Sequence, residues 1–374
     1  MLDVTLIILC AGNSSRFEHK AKKQWLRINN EPLWLNVTKR LATCANFDKI
    51  IITSSQNELS YMKNFSDDYC FVAGGSTRQE SIINSLKEVT TSHVMISDVA
   101  RACIPKSVII DLLENKNYAN CIVPTLNVSD TVIYNENTIN RDSVKLIQTP
   151  QLSNTKILKD SLKTDIEYTD DSSAIKANNG SIKYIQGNIK SKKLTFGNEL
   201  EELSCLKAPS NNFFTGTGFD IHQFEDNKEM YLGGIKLPTD YGFKAHSDGD
   251  VLIHSVIDAL LGAAGAGDIG EFFPDTDEQY KGIDSKVLLN DIVEFIYNVG
   301  YEIVNIDLTI IAQKPKINPH KQEIKSSIAK LIKIEKQFVN IKATTAEKMG
   351  FIGRSEGVAV QSIATLKYYD WTKK

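Results

Sequence analysis

The sequence has few cysteines, and they form no recognisable motif. Of its 374 residues only six are cysteines, with no C-x-x-C pair among them. Because structural disulfides accumulate in oxidising compartments, we predict free thiols in a reducing compartment and therefore a cytoplasmic location. The cysteines are Cys10, Cys44, Cys70, Cys103, Cys121 and Cys205.

Long apolar runs, a strong charge imbalance and repeats are missing as well. The run Val4–Cys10 is too short for a signal peptide or a membrane span and has no basic segment before it, so we predict a buried strand. The formal net charge of −3 argues against a broad nucleic-acid surface, although it allows a local basic pocket for a phosphorylated small molecule. The 42% apolar content and the length of 374 residues predict a globular protein with two domains.

In the first half, short apolar runs alternate with helical patterns. This alternation predicts an α/β domain with a doubly wound, mostly parallel sheet. Ligands bind such sheets at the carboxyl ends of the strands, so the loops after Cys10, Ala73 and Ser97 should line one site. The predicted strands are 4–10, 49–53, 70–73, 93–97 and 120–124, and the predicted helices are 32–44, 78–89 and 105–115.

These loops combine small residues, cations and a carboxylate, a set that suits a nucleotide. Small-residue loops present backbone N–H groups to phosphate oxygens, and a carboxylate at a strand end can hold Mg²⁺ together with phosphates. Each residue alone is more often part of an ordinary turn or surface, so the prediction rests on their clustering. The residues are Ala11, Gly12, Arg16, Lys23, Gly74, Gly75, Ser81 and Asp98.

The motifs of this half, in order, are L-C-A-G-N-S-S-R-F, K-K-Q-W-L, A-G-G-S-T-R-Q-E-S, S-D-V-A-R, T-P-Q and T-D-D-S-S-A. From Leu2 to about Leu203 the chain thereby resembles the 2-C-methyl-D-erythritol 4-phosphate cytidylyltransferases. Several positions depart from the family pattern, among them Lys22 in place of a proline and Val99 and Ala102 in the D-A-A-R-P motif, and two of them bear directly on the site. Ser14 replaces a loop glycine, at a backbone cost if its φ is positive, and Ser129 replaces an arginine near the sugar-phosphate pocket.

This resemblance implies a Rossmann-like nucleotidyltransferase that uses CTP and Mg²⁺. Arg16 and Lys23 would stabilise the α-phosphate under attack, because nucleotidyl transfer needs charge neutralisation. Ser81 and the Gly74-Gly75 loop would hold the cytidine, and Asp98 would lie near Mg²⁺. A β-arm over residues 127–151 would contribute to a dimer. The residues implied to hold the erythritol phosphate are Asp130, Thr131, Arg141 and Lys193.

In the second half, three side chains have the spacing of a metal site. Asp220 and His222 lie two apart in an alternating strand pattern and so share one face, and His254 lies in a helical pattern. One carboxylate and two imidazoles suit a Zn²⁺ ion with one open position. From spacing alone, two hydrogen-bonded histidines and a helix-capping aspartate are an equally good interpretation.

Further along, polar residues follow a strand at Ile341–Glu347. Thr344, Thr345 and Glu347 suit phosphate groups and a Mg²⁺ ion between them, and Arg354 is a further candidate for binding phosphate. High strand propensity of threonine and the preference of glutamate for a first helical turn are the alternative explanations.

The motifs of this half, in order, are G-F-D-I-H, A-H-S-D-G-D-V-L-I-H, G-D-I-G-E-F-F-P-D-T-D, I-I-A-Q-K-P-K and K-A-T-T-A-E-K-M-G-F. From about Thr215 to Leu366 the chain thereby resembles the 2-C-methyl-D-erythritol 2,4-cyclodiphosphate synthases, which implies an α+β domain. The resemblance implies Zn²⁺ on Asp220, His222 and His254, and Mg²⁺ on Glu347. For the other positions it implies that Thr345 is catalytic and that Asp268, Ala312, Lys316 and Thr344 bind the nucleotide. The residues implied to bind the rest of the substrate are His246, Ser247, Asp275, Phe351 and Arg354.

Together the two halves predict a bifunctional enzyme of isoprenoid-precursor synthesis. The predicted organisation is a transferase domain over 1–206, a linker over 207–213 and a synthase domain over 214–374. The families imply a dimeric first domain, a trimeric second domain and a kinase that acts between the two reactions. Two alternatives stay open: a first half that uses another phosphorylated sugar or alcohol, and a second half that is a metal-stabilised assembly module without catalysis.

Overall fold

The computed structural model describes residues 2–274 and 276–373 of the chain. The chain divides into two compact units, Met1–Ala208 and Pro209–Lys374. Asp275, which the sequence assigns to substrate binding, lies outside the described residues. Among the described residues, none of the helices combines the length and apolar character needed to cross a bilayer.

The first unit alternates strands and helices along the chain. Its strands are β1 (Val4–Leu9), β2 (Arg27–Ile28), β3 (Glu31–Pro32), β4 (Lys49–Ser54), β5 (Cys70–Ala73), β6 (His93–Asp98), β7 (Cys121–Asn127), β8 (Val132–Tyr134), β9 (Asn137–Ile139), β10 (Lys145–Ile147), β11 (Gln151–Asn154) and β12 (Ile182–Gln186). Its α-helices are α1 (Leu33–Ala42), α2 (Gln56–Lys63), α3 (Arg78–Leu86), α4 (Lys106–Glu114), α5 (Thr155–Ser161) and α6 (Asp171–Ala177).

The core of this unit is a mixed eight-stranded sheet in the order β10-β7-β11-β6-β1-β4-β5, with β12 beside β7. β6, β1, β4 and β5 run parallel, whereas β11 runs antiparallel to both β6 and β7. The central strands β1 and β6 are almost entirely buried, as expected for apolar strands covered on both faces. The predicted α/β class with a mostly parallel sheet is therefore confirmed.

Helix α2 has no counterpart in the sequence prediction. It is short and polar, so its apolar periodicity is weak. Its position is stabilised instead by Glu58, whose buried carboxylate accepts a 2.6 Å hydrogen bond from Trp25 Nε1 and pairs with Lys22. A carboxylate that is buried beside a tryptophan cannot be recognised from local spacing.

Two cysteines of the first unit form a disulfide, so the prediction of six free thiols is wrong for them. Cys103 and Cys205 are bonded across 102 residues of sequence, with their Cα atoms 5.8 Å apart. Cys10, Cys44, Cys70 and Cys121 are free. The pairing results from the tertiary fold, so the absence of a C-x-x-C motif gave no information about it.

We expect replacement of Cys103 by serine to lower the free energy of unfolding of the oxidised first unit by about 2–4 kcal/mol, because the disulfide restricts a long loop of the unfolded chain. The fluorescence of the buried Trp25 and Trp34 in urea, with and without dithiothreitol, measures this change. Cys44→Ser, at a free thiol, is the control. If the Cys103 variant and the parent, both measured without dithiothreitol, had the same free energy of unfolding, the expectation would be contradicted.

The second unit combines a five-stranded sheet with helices on one face. Its strands are β13 (Phe213–Asp226), β14 (Met230–Leu232), β15 (Ile235–Leu237), β16 (Tyr241–Phe243), β17 (Tyr301–Ile311), β18 (Val339–Thr344) and β19 (Gly357–Tyr368). Its α-helices are α7 (Val251–Ala264), α8 (Ile269–Phe272), α9 (Ser285–Asn298), α10 (Lys321–Leu331) and α11 (Gly350–Gly353).

This sheet has the order β16-β13-β19-β17-β18, and the apolar helix α7 packs on β13 and β19. Two glycines of β13 permit this close approach. A Cβ atom at Gly216 would lie 2.2 Å from the Ala263 nitrogen, and one at Gly218 would lie 1.9 Å from the Ser255 oxygen. The T-G-T-G-F-D sequence therefore places the side chains that follow it directly beside α7. The predicted α+β class of this unit is confirmed.

Candidate functional site

The first unit contains a cleft of about 560 Å³ at the carboxyl ends of β1, β5 and β6. This is the edge of the sheet that the sequence indicated. Of the residues assigned to the nucleotide and to catalysis, the structure places together in this lining Ala11, Gly12, Arg16, Lys23, Gly74, Gly75, Ser81, Asp98 and Lys193.

The loop after β1 is held by hydrogen bonds from its serine. Ser14 has a positive φ of 57°, which is unfavourable for a residue with a side chain. Its Oγ accepts a hydrogen bond from the Lys23 backbone nitrogen at 3.0 Å and donates to Gln24 Oε1 at 3.3 Å. Gln24 Nε2 in turn donates to the Gly12 carbonyl at 3.0 Å. The departure from glycine is therefore compatible with an ordered phosphate-binding loop.

Positive charges converge on one side of this cleft. Lys23 Nζ donates to the Leu194 carbonyl at 3.1 Å. Burial lowers the pKa of Lys23, and the nearby charges of Lys193 and Arg16 lower it further. Such a group of cations is destabilised by mutual repulsion, so binding of a polyanion relieves an existing electrostatic cost.

Asp98, at the end of β6, belongs to a chain of ion pairs in which the two carboxylates are buried and Lys193 is exposed. Its Oδ2 lies 2.7 Å from Lys193 Nζ and its Oδ1 lies 3.2 Å from Arg78 Nε, while Arg78 Nη1 lies 2.9 Å from Asp171 Oδ1. Burial raises the pKa of Asp98, but Arg78 and Lys193 outweigh it and hold that pKa well below its usual value. Sequence reasoning missed Arg78 and Asp171, although both stand within motifs that it quoted.

Ser81 hydrogen-bonds within the Gly74-Gly75 loop. Its Oγ accepts a hydrogen bond from the Gly75 nitrogen at 3.0 Å and donates to the Thr77 carbonyl at 3.0 Å. A Cβ atom at Gly74 would lie 2.5 Å from Ala11 Cβ and 3.0 Å from Ser81 Oγ. The two loops that form the cleft therefore touch at Gly74, where there is no room for a side chain.

We expect Gly74→Ala to lower the free energy of unfolding by about 1–3 kcal/mol through overpacking, and to raise the KM for the nucleotide that the sequence predicts in this cleft by displacing the loop. Gly12→Ala is the control for stability, because nothing lies within 4 Å of a Cβ atom there. Urea unfolding of the two ligand-free variants, followed by steady-state kinetics of the Gly74 variant, makes the comparison. A Gly74 variant as stable as the Gly12 variant would show that the loops separate easily.

The arm residues assigned to the erythritol phosphate are not brought into this cleft. Arg141 Nη1 donates to the Ser129 carbonyl at 2.6 Å. Asp130 and Thr131 are exposed beside it, and the described residues that line the cleft include none of these three. The arm consists of the β8–β9 hairpin and of β10, which pairs with β7.

In the second unit, Asp220, His222 and His254 form a cluster that could hold a metal ion. One ligand atom from each residue lies within 4.8 Å of the others. His222 Nε2 and His254 Nδ1 each lie 3.3 Å from Asp220 Oδ2. That oxygen is buried and has no well-aligned hydrogen bond. A buried carboxylate oxygen facing two imidazole nitrogens fits a tetrahedral zinc site with one open position.

The rest of the cluster is oriented for this role. His222 Nδ1 lies 2.8 Å from the Gly249 carbonyl, which can only accept, so this nitrogen donates and Nε2 keeps its lone pair. Burial raises the pKa of Asp220, but a hydrogen bond from His254 in its protonated form and the charges of the two protonated histidines lower it below its usual value. Asp250 is the helix-capping residue, since its Oδ1 accepts a 3.0 Å hydrogen bond from the Ile253 nitrogen.

These ligands line a cavity of about 340 Å³ together with His246 and Ser247. Asp268 caps α8 by accepting a 3.1 Å hydrogen bond from the Glu271 nitrogen, next to the cavity residues Ile269 and Gly270. The predicted substrate residues His246 and Ser247 are therefore brought beside the candidate metal ligands.

The predicted phosphate residues form a separate group at the end of β18. Thr345 Oγ1 donates to Glu347 Oε1 at 2.7 Å, and the Ala312 nitrogen donates to the Thr344 carbonyl at 3.0 Å. Arg354 pairs with Glu356. The described residues that line the metal-site cavity include none of the other predicted ligand residues, which are Ala312, Lys316, Thr344, Thr345, Glu347, Phe351 and Arg354.

Known proteins resemble the same two parts of the chain. Residues 4–204 match the family model for 2-C-methyl-D-erythritol 4-phosphate cytidylyltransferase, and residues 213–367 match that for the YgbB family. A "Bifunctional enzyme IspD/IspF" of Aliarcobacter butzleri (strain RM4018) is 75% identical over 374 residues, which is 100% of both chains. One of Sulfurimonas denitrificans is 53% identical and covers 99% of this chain and 96% of its own. The structure of the bifunctional IspDF from Campylobacter jejuni superposes with a TM-score of 0.89 at 47% identity, over 99% of this chain and 100% of that one.

Proposed function

Because the chain belongs to the bifunctional IspD/IspF family and carries both activities of that family, we propose which pocket serves each reaction and which residues act there. The first-unit cleft binds CTP, and the cavity beside Asp220 binds the substrate of the cyclodiphosphate synthase. The proposed domains are residues 1–206 and 214–374, joined by a linker at 207–213. The observation that carries the proposal is that the first-unit cleft gathers cations suited to a triphosphate, whereas the second-unit cavity gathers three side chains suited to a metal ion.

In the transferase reaction, an oxygen of the 4-phosphate of methylerythritol phosphate attacks the α-phosphorus of CTP. The bond from that phosphorus to the β-phosphate oxygen breaks, and pyrophosphate leaves. Arg16 and Lys23 neutralise the charge that develops on the α-phosphate. The backbone of Ala11 and Gly12 supports the triphosphate, and the loop held by Ser81 and Gly75 positions the cytidine.

Mg²⁺ in this cleft would reduce the charge of the triphosphate. Asp98 is the carboxylate nearest to the converging cations, but Arg78 and Lys193 already hold it. Asp98 would be the carboxylate that holds Mg²⁺ beside the triphosphate. Lys193, which pairs with Asp98 Oδ2, is the cation that we assign to the acceptor phosphate.

In the synthase reaction, an oxygen of the 2-phosphate attacks the β-phosphorus of the CDP group, the bond to the α-phosphate oxygen breaks, and CMP leaves. Zn²⁺ on Asp220, His222 and His254 would supply Lewis-acid polarisation of a phosphate oxygen. His246 and Ser247 orient the erythritol part, and Thr344, Thr345 and Arg354 bind the phosphates. Glu347, in the exposed turn after β18, would hold Mg²⁺ between them. Asp268, Ala312 and Lys316 bind the cytidine, and Phe351 contacts the substrate.

An oligomer completes both sites in this proposal. The metal-site cavity and the Thr344–Glu347 group are two half-sites, which neighbouring copies of a trimer bring together. Support comes from β13, where Phe219 and Ile221 are 58% and 39% exposed on the sheet.

In the first unit, a dimer delivers Arg141, Asp130 and Thr131 to the cleft of the partner subunit. The exposed Ile133 and Tyr134 of the arm suit such an interface. A kinase that acts between the two reactions is a candidate partner.

Phosphorus NMR tests the two assignments separately. With CTP, Mg²⁺ and methylerythritol phosphate, pyrophosphate and a new diphosphate diester should appear. With the 2-phosphorylated diester, CMP and a cyclic diphosphate should appear. Turnover of the second substrate without the first would indicate that the cleft accepts another phosphorylated alcohol. Turnover of the first alone would indicate that the second unit only organises an assembly.

We also propose a cytoplasmic location, where the Cys103–Cys205 pair would meet cellular reductants. Alkylation of protein taken rapidly from cells, followed by mass spectrometry, would report whether the two sulfurs are reduced there.

A further inference from the structure

The outer nitrogen of His254 lies between two serine hydroxyls. Nε2, the ring nitrogen that does not face Asp220, is 2.9 Å from Ser285 Oγ and 3.2 Å from Ser247 Oγ. A hydroxyl can donate or accept, so these distances alone leave the position of the ring proton open. The two possible tautomers differ in consequence, because only a ring with its proton on Nε2 offers Nδ1 as a lone pair to a metal ion.

Asp248 decides the direction in which Ser285 donates. The Ser285 hydroxyl lies 2.5 Å from Asp248 Oδ1, and a carboxylate oxygen accepts. The same carboxylate accepts hydrogen bonds from the backbone nitrogens of Asp250 and Ser285, both at 3.2 Å. Because the single proton of Ser285 is directed to Asp248, Ser285 Oγ presents a lone pair to His254.

From this arrangement we infer that Asp248 and Ser285 are positioning residues that hold the His254 proton on Nε2 and keep Nδ1 free to bind the metal ion. The inference rests on the proposed metal role of Asp220, His222 and His254. For His222 the Gly249 carbonyl fixes the tautomer, because it accepts a hydrogen bond from Nδ1 and leaves Nε2 free. Among the described residues, the hydrogen-bond partners of His254 Nε2 are two serine hydroxyls rather than a carbonyl, so a carboxylate acting through a serine takes its place.

The arrangement also frees the hydroxyl proton of Ser247. Its Oγ accepts from the Gly249 nitrogen at 3.2 Å and lies beside the Nε2–H of His254. The single Nε2–H of His254 is shared between the oxygens of Ser285 and Ser247, and the Gly249 nitrogen also donates to Ser247, so Ser247 is left to donate its own proton into the cavity that it lines. The acceptor there would be a phosphate or hydroxyl oxygen of the substrate, so the state of His254 is coupled to the orientation of the substrate.

Two variants test the hydrogen-bonded relay formed by Asp248, Ser285 and His254. Ser285→Ala removes the acceptor, and Ser247 can then donate to Nε2 instead. Asp248→Asn can present an amide N–H to Ser285, which turns the serine proton towards His254. We expect zinc affinity, measured by competition with a chromophoric chelator, to fall about 10–100-fold in each. Nitrogen-detected NMR of the metal-free protein at pH 9 should show Nε2–H for His254 in the parent and Nδ1–H in a large fraction of both variants.

Ser255→Ala is the matched control. Ser255 is also fully buried on α7, but its hydroxyl lies 2.5 Å from Ser362 Oγ and donates to the Leu252 carbonyl. It should lose stability without any change in zinc affinity or in the His254 tautomer. Unchanged affinity and an unchanged Nε2–H signal in Ser285→Ala would overturn the inference. If the parent protein bound no zinc, the proposed metal role would fail, while the NMR comparison would still decide the relay.

Discussion

His222→Gln should remove the metal ion and lower the cyclodiphosphate synthase activity by about 10³-fold or more, because Lewis-acid stabilisation of a transition state is worth several kcal/mol. His222 Nε2 is one of two imidazole nitrogens facing Asp220 Oδ2 at 3.3 Å. Glutamine keeps the approximate size of the side chain but is a poor zinc ligand. The transferase activity should be unchanged, since its proposed residues belong to the other unit.

Zinc content by mass spectrometry and CMP release by chromatography make this measurement. His246→Gln is the matched control: His246 lines the same cavity but is not a member of the metal cluster. We expect it to keep zinc and to raise the KM of the diphosphate substrate. A His222 variant that retains full zinc and CMP release would show that the cluster is a set of hydrogen-bonded side chains rather than a catalytic metal site.

Local sequence patterns were sufficient to predict the positions of candidate site residues that lie close together in the sequence. Asp220 and His222 share a strand face because side chains alternate along β13, and the two glycines before them place that strand against α7, where His254 lies. The glycine-serine loop after β1 was likewise recognisable, since a buried apolar strand precedes it. In both cases a short spacing and a regular element together determine where the side chains point.

Sequence patterns were insufficient to predict contacts between residues that lie far apart in the sequence. Arg78 joins Asp98 to Asp171, which is 93 residues from it in sequence, and nothing in the spacing of T-D-D-S-S-A indicates this pair. The Cys103–Cys205 disulfide spans 102 residues. Ser285 lies 31 residues from His254, at the start of another helix. Each of these contacts depends on the tertiary fold, so residue type and local spacing could not predict it.

The second prediction with a large expected effect concerns Lys23, which lies with Arg16 and Lys193 in the cleft of the first unit. Lys23→Met should lower kcat of the transferase about 10²–10³-fold, the cost found when one preorganised charge donor is removed from a developing anion. The ammonium group is partly desolvated, and its pKa is lowered by burial and by the charges of Lys193 and Arg16. Its repulsion from these cations is relieved by phosphate, and most strongly by the extra charge of the pentacoordinate state. The effect should therefore fall on kcat more than on KM.

The lowered pKa of Lys23 also gives the direction of a pH effect. The free enzyme loses this proton at a lower pH than an ordinary lysine does, so kcat/KM for CTP should decline at alkaline pH in the parent. In Lys23→Met this decline should be absent, and kcat/KM for CTP should be much lower than in the parent at every pH. Lys20→Met is the control, since Lys20 is not among the described residues that line the cleft. A Lys23 variant with a raised KM, an unchanged kcat and the parental pH profile would assign the lysine to ground-state binding alone, leaving Arg16 as the cation that acts in the transition state.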